Sequence, residues 1–301
     1  MDILKTQYHI RSLDEQLLLP PNVELSEEVL NELVERGRAA SFQSASLLEY
    51  GTIKQDVLEF LNHDPYKIVF SDQNQTKEII EIISKVNLNL SIWESLDYFK
   101  SYDFQTYRHN IMVFILSVFF AKIMLSDHKE LIGNTITGSA HDLGKTCIPL
   151  DILKKTTPLT KKEHNILQHH TIAGYVLLSY YLEDHRSIIA KLARDHHERK
   201  NGSGYPRGIL QNDIMVEIVA VADTYDALLM PRSYRPVSFD NRTALEELTS
   251  MAEQNKIGWD VIKALIAQNR KHKPYYKEVI ISKEKRGTEP KGNLYGKIID
   301  D

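Results

Sequence analysis

The chain has 301 residues, 42% of them hydrophobic and 26% charged, with 37 Lys and Arg against 41 Asp and Glu for a formal net charge of −4. That balance is ordinary for a globular protein and gives no ground for a polybasic module that grips nucleic acid or a membrane surface. One Cys beside 12 His excludes an internal disulfide framework and a Cys-rich zinc module, so any metal must rest on imidazole and carboxylate, a set that favours Fe, Mn, Zn or Ni.

The opening MDILKTQYHIRSLDEQ alternates charged and apolar residues and lacks the apolar core of a secretory leader. Residues 7–13 and 66–71 have strand character through their β-branched and aromatic side chains. Leu19, Pro20, Pro21 and Asn22 form a breaker, after which Ser26 is predicted to cap a helix with Glu27 and Glu28 in its first turn and Val29, Leu30 and Leu33 on its apolar face. Residues 57–61 and 79–86 are two further amphipathic segments. The reading for residues 1–88 is a small mixed α/β domain with a regulatory or interaction role.

From residue 89 to 273 the apolar residues recur at three and four spacing, which predicts an all-helical domain. Residues 111–125 are the most apolar stretch; they hold Lys122 and fall short of the roughly 18 uncharged residues of a membrane span, so a buried core helix is expected. No membrane contact and a reducing, cytoplasmic location follow as expectations. Thr160 and Glu163 match a capping box, and Asp240 is a second cap. Residues 274–301 form an extension in which 278–282 and 293–299 read as weak strands around a charged turn, a possible β-hairpin.

The chemistry-bearing residues lie in the helical domain. His109 opens the apolar helix, HDLGK follows at 141–145, His170 sits in HHTIAG, and HHERKNGSGYP spans 196–206. VADTYDAL at 221–228 and RSYR at 232–235 close the series.

In this order and with this connecting sequence the chain resembles the HD-GYP family, bacterial phosphodiesterases of cyclic di-GMP built on the HD-domain helical fold. The resemblance covers residues 103–266. It implies a mainly α architecture, an HD-domain helical bundle beside the smaller mixed N-terminal domain, and a centre of two divalent metals, iron or alternatively manganese. By resemblance, His109, His141, Asp142 and Asp223 hold the first metal, and Asp142, His170, His196 and His197 the second. Asp142 takes the bridge because a carboxylate offers two oxygens where a neutral imidazole offers one lone pair. Two cations about 3.5–4 Å apart can activate water and clamp a phosphate, as phosphodiester hydrolysis requires.

Adjacent His196 and His197 diverge by about 100° on a regular helix, so a helix end is expected there. His170 is preferred to His169 because Gly174 gives it the family's HxxxG register. The family's Lys at 145 contacts phosphate and can act as leaving-group acid. Tyr205, in a loop freed by Gly202 and Gly204, faces the nucleotide, and Arg232 and Arg235 offer guanidinium forks to phosphates. Asp226 would orient a ligand or Lys145.

Each residue also has a plainer reading. His109, Asp142 and Asp223 can be caps, Lys145 and the two arginines solvated cations, and the GYP loop a structural or partner-facing loop. Gln105 stands where some relatives carry a Glu for a third metal, so two metals are expected. Asn201 replaces the usual Asp.

The function expected is metal-dependent hydrolysis of cyclic di-GMP to pGpG and onward to GMP, by attack of metal-bound hydroxide at phosphorus. The alternatives are a catalytically weak cyclic di-GMP receptor or protein-docking module, acting through the GYP loop or the N-terminal domain, and an HD hydrolase for another cyclic dinucleotide. A homodimer is compatible with these readings; a nucleic-acid polymer is not an expected partner.

Overall fold

A computed structural model describes residues 4–125, 140–231, 237–282, 284–293 and 297–300. The N-terminal part begins with a short antiparallel pair, β1 (Ile10–Arg11) and β2 (Leu17–Leu19), whose register slips between Ile10 and Arg11. Helix α1 (Glu27–Ala40) starts where Ser26 accepts a hydrogen bond from the Val29 N–H, as its sequence predicts. It buries Leu30, Leu33, Val34 and Gly37. Gly37 lies on the Tyr180 carbonyl, where any Cβ would overlap backbone. Strand β3 (Ser44–Ser46) precedes α2 (Ile53–Asn62) and α3 (Gln73–Ser84), and pairs antiparallel with β4 (Asn87–Asn89).

Residues 66–71, expected as a strand, instead turn as a 3-10 helix at Tyr66–Ile68. The reason is periodicity. Tyr66, Val69 and Phe70 are the buried residues, at spacings of three and four, while Lys67 and Ile68 face out. Of residues 7–13 only Ile10 and Arg11 join a ladder.

The helical part continues with α4 (Leu90–Tyr102) and α5 (Phe104–Met124). By length and composition α5 is apolar enough to cross a membrane, yet it is buried on all sides from Thr106 to Ala121 apart from Arg108, the pattern of a central core helix. Around it stand α6 (Leu150–Leu153), α7 (Lys161–Gln168), α8 (His170–Tyr181), α9 (Ile188–Asp195), α10 (Ile214–Leu229), α11 (Asn241–Glu253) and α12 (Trp259–Gln268). The Thr160–Glu163 capping box and the Asp240 cap both form. One apolar cluster runs from Ile10 to Val279, so the N-terminal elements and the helices share a core. Backbone N–H groups of Gln7 and Leu13 donate to His169 Nε2 (3.2 Å) and to the Tyr181 hydroxyl (3.0 Å) across that seam.

Among the described residues of the C-terminal extension the expected hairpin does not form. Residues 278–282 carry no strand; Tyr276 and Val279 plug into the core after a 3-10 turn at Tyr276–Glu278. The Glu246 carboxylate on α11 takes the N–H groups of Arg286 (3.0 Å) and Gly287 (2.7 Å), which lays the charged segment along that helix instead of letting it fold back. Strand β5 (Leu159–Thr160) pairs in parallel with β6 (Ile298–Ile299), the place taken by the end of the expected second strand.

Candidate metal centre

The HDLGK segment leaves a turn at Ala140 and enters a 3-10 helix at Leu143–Cys147. Gly144 is required there: its Cα crosses α8 so closely that a Cβ would overlap the His170 carbonyl and the Gly174 amide nitrogen. Gly174, four residues after His170, lies beneath this crossing and packs against Gly144 and Ala193. The crossing sets Asp142 directly against the first turn of α8.

Asp142 is 1% exposed and stands between two sets of imidazoles. Its Oδ2 faces His141 Nε2 (3.4 Å) and His109 Nε2 (3.7 Å), and its Oδ1 faces His170 Nε2 (3.4 Å) and His196 Nε2 (3.9 Å). Asp223 on α10 adds Oδ1 at 3.0 Å from His109 Nε2. Helix α9 ends at Asp195, so His196 and His197 leave the helical path together, as expected, with ring centroids 4.1 Å apart. Donor atoms of His109, His141 and Asp142 lie within 4.8 Å of one another, as do those of His170, His196 and His197.

The donor set fits divalent-cation binding. Metal–ligand bonds of ~2.1 Å let donors up to ~4 Å apart share an ion, and the spans around Asp142 fall in that range. Three rings have their other nitrogen committed. His170 Nδ1 donates to the Leu167 carbonyl (2.6 Å), His196 Nδ1 to the Ala193 carbonyl (2.9 Å), and His109 Nδ1 to Asp226 Oδ2 (2.6 Å). At His170 and His196 a carbonyl accepts, so the proton sits on Nδ1 and the Nε2 lone pair points inward, while His109 stands between two carboxylates, Asp226 on Nδ1 and Asp223 on Nε2.

Protonation agrees with this. Burial pushes the His170 imidazole down to about 4, and burial with neighbouring imidazoles holds His196 and His197 well below the usual range. Burial alone would raise Asp142 and Asp223. Lys145 and the adjoining imidazoles outweigh it at Asp142, and the His109 hydrogen bond does so at Asp223, so both stay ionised. Neutral rings and charged carboxylates are the metal-ready state at neutral pH.

A cleft of about 390 Å³ opens onto the centre, lined by His109, Lys145, His170, His197, Tyr205 and Asp223. The Lys145 ammonium lies 2.5 Å from Asp142 Oδ2. Tyr205 stacks on His197, with centroids 4.6 Å apart and planes at 21°. Its loop is built in: Glu198, 2% exposed, accepts from the Arg207 N–H (2.7 Å) and the Ile209 N–H (3.1 Å), and a Cβ at Gly204 would overlap the His197 carbonyl. His169 faces away, taking the Gln7 N–H and meeting Tyr8 edge-on. Asp226 lies on His109 Nδ1, and the Lys145 ammonium lies on Asp142. Arg232 and Arg235 lie outside the described residues.

Several residues at the site escaped the sequence. Lys155, Arg199 and Lys297 bring further positive charge to the cleft wall, and His164 lines it as well. Arg199 sits inside the HHER run, so its neighbourhood was a signal; Lys297 had none. Arg108 and Tyr66 hold Asp226 from behind.

A mainly α bundle in which His and Asp side chains converge at an HD dipeptide is the architecture of an HD domain. Residues 101–261, more than half the chain, match the HD domain family, and the chain belongs to it. The chain is similar to a cyclic di-GMP phosphodiesterase of Thermotoga maritima, 38% identical over 135 residues, 44% of this chain and 37% of that protein. It is also similar to the cyclic di-GMP phosphodiesterase response regulator RpfG of Xanthomonas campestris, 45% identical over 97 residues, 32% of this chain and 26% of the relative. A third relative is the 3'3'-cGAMP-specific phosphodiesterase 1 of Vibrio cholerae, 39% identical over 103 residues, 33% of this chain and 23% of that protein. The matches thus span about a quarter to two fifths of these relatives.

Proposed function

We propose that the protein is a metal-dependent phosphodiesterase that opens cyclic di-GMP to the linear dinucleotide pGpG and onward to GMP, in a cytoplasmic setting, with two iron or manganese ions as cofactors. The observation that carries this reading is Asp142, whose two oxygens face two separate groups of inward-pointing imidazoles. The names of the relatives support the substrate class.

His109, His141, Asp142 and Asp223 would hold one divalent cation and Asp142, His170, His196 and His197 a second, and the pair would supply Lewis acidity toward the phosphodiester and a water of lowered pKa. The protein's own groups do the rest. Lys145 sits at the cleft wall beside Asp142, holds a phosphate oxygen by charge, and carries a proton to give to the departing ribose oxygen. Tyr205, seated on His197, offers its ring edge and hydroxyl to a nucleoside. Arg199, Lys155 and Lys297 extend the positive wall for the second phosphate. Neutral, buried imidazoles keep their lone pairs available at pH 7.

A second substrate reading is 3'3'-cGAMP, favoured by the similarity to a relative specific for it. Both cyclic dinucleotides share the phosphate ring and differ in one base. Incubating anaerobically purified protein with cyclic di-GMP, 3'3'-cGAMP and pGpG under Fe(II) or Mn(II), followed by chromatography, separates the readings. Conversion of cyclic di-GMP to pGpG is expected. Tight binding without product would instead establish a receptor.

A further inference from the structure

Asp226 is where the metal centre meets residues from outside the HD region. Its side chain is fully buried on α10. Oδ2 accepts from His109 Nδ1 (2.6 Å), Arg108 Nη2 lies 2.9 Å from Oδ2 and 3.1 Å from Oδ1, and the Tyr66 hydroxyl donates to Oδ1. Tyr66 belongs to the 3-10 turn between α2 and α3 and is 1% exposed. Its ring meets Tyr225 edge-on (6.5 Å, 87°) and lies 6.0 Å from the Arg108 guanidinium. The same turn is gripped from the far side. The Lys273 ammonium, just past α12, donates to the carbonyls of Ile68 (3.0 Å) and Val69 (2.5 Å).

We propose that Tyr66 is a positioning residue for the His109 half of the metal centre, and that through it the segment preceding the HD region sets how tightly that half holds its cation. The inference rests on the two-metal reading given above. A ligating imidazole is aimed by the hydrogen bond on its other nitrogen. Asp226 supplies that bond, and Asp χ2 has a broad well, so its oxygens point where their donors hold them. The Tyr66 hydroxyl is a directional donor on Oδ1. With it in place Oδ2 stays on His109 Nδ1, and Nε2 stays turned toward Asp142 and Asp223. Without it Oδ1 keeps only the Arg108 Nη2 that it shares with Oδ2, and the carboxylate and the His109 ring that it aims gain freedom to turn. Tyr66 touches no reacting atom; it acts only through Asp226.

The test is a Mn(II) titration of metal-free, full-length protein, followed by electron paramagnetic resonance and calorimetry. The wild type binds two ions. In Tyr66→Phe, which keeps the ring and removes the hydroxyl, one ion weakens about tenfold and the other is unchanged. In an Asp226→Asn background the Tyr66→Phe change adds no further loss, because both act along one path. Lys273→Met, which loosens the turn while leaving Tyr66 intact, weakens the same ion by a few-fold. The proposal is overturned if Tyr66→Phe binds both ions as the wild type does, even with a lowered melting temperature, which would mark a purely structural tyrosine. Equal weakening of both ions, or full additivity with Asp226→Asn, overturns it as well. A wild type that binds no Mn(II) overturns the two-metal reading itself, a result distinct from a Tyr66 variant that behaves as wild type.

Discussion

Gly144 rests its Cα on the His170 carbonyl, with no room for a side chain between them. The contact joins the segment that carries Asp142 to the helix that carries His170, so the distance between two proposed ligands is set by a glycine that ligates nothing. The Gly144→Ala variant would have to push α8 away from backbone atoms that cannot yield. We expect a loss of about 1–3 kcal/mol or more, read as a lowered melting temperature of the metal-free protein, together with reduced metal content. Wild-type stability and loading in this variant would mean that the crossing is looser than described.

His169 and His170 are neighbours with opposite roles. Only His170 turns Nε2 toward Asp142; His169 spends its Nε2 on the Gln7 N–H. His170→Ala is therefore expected to lose one of two metals and at least a hundredfold in turnover, while His169→Gln keeps both metals and most activity. Metal analysis of the two purified variants side by side distinguishes them, and the reverse outcome would reassign the ligand.

The His169 imidazole also gives the protein a pH signature. Burial lowers it to about 4 from the ordinary 6.5. A folded-state pKa below the unfolded one means that the unfolded chain binds the proton first, so stability is full above pH 6.5 and drains as pH falls toward 4. The contribution is on the order of 3 kcal/mol at most. Thermal melts of metal-free protein across that window should fall less steeply for His169→Gln than for the wild type; parallel curves would show that His169 titrates normally.

Glu198 ties the GYP loop to the end of α9 through two backbone N–H groups. Glu198→Gln replaces one acceptor oxygen with an amide that meets an N–H head-on, a cost of about 1–3 kcal/mol. The expected result is a raised KM for the dinucleotide, from a loosened Tyr205, with metal content unchanged. Loss of metal instead would make Glu198 part of the cage.

The seven proposed ligands were legible because, apart from His109 at the start of the apolar helix, each sits in one of the short runs that carry the family resemblance, HDLGK, HHTIAG, HHERKNGSGYP and VADTYDAL. The caps at Ser26, Thr160 and Asp240 were legible for a similar reason: they are decided within four residues. What sequence reading missed depends on long-range packing. Residues 66–71 look like a strand by composition, yet the helical spacing of Tyr66, Val69 and Phe70 is what buries them. Tyr66 reaches Asp226 across 160 positions of sequence, and no local pattern announces that pairing. The expected C-terminal hairpin failed because Glu246, on another helix, captures the backbone at Arg286 and Gly287.

The central claim is that Asp142 joins two cations. The most direct test is the metal-to-protein ratio of anaerobically purified wild type and Asp142→Ala, measured by mass spectrometry of the elements with a thermal melt as the folding control. The account predicts two ions per wild-type chain and none firmly held in the folded variant. A folded Asp142→Ala that retains both ions, or a wild type that holds one however it is loaded, would contradict it.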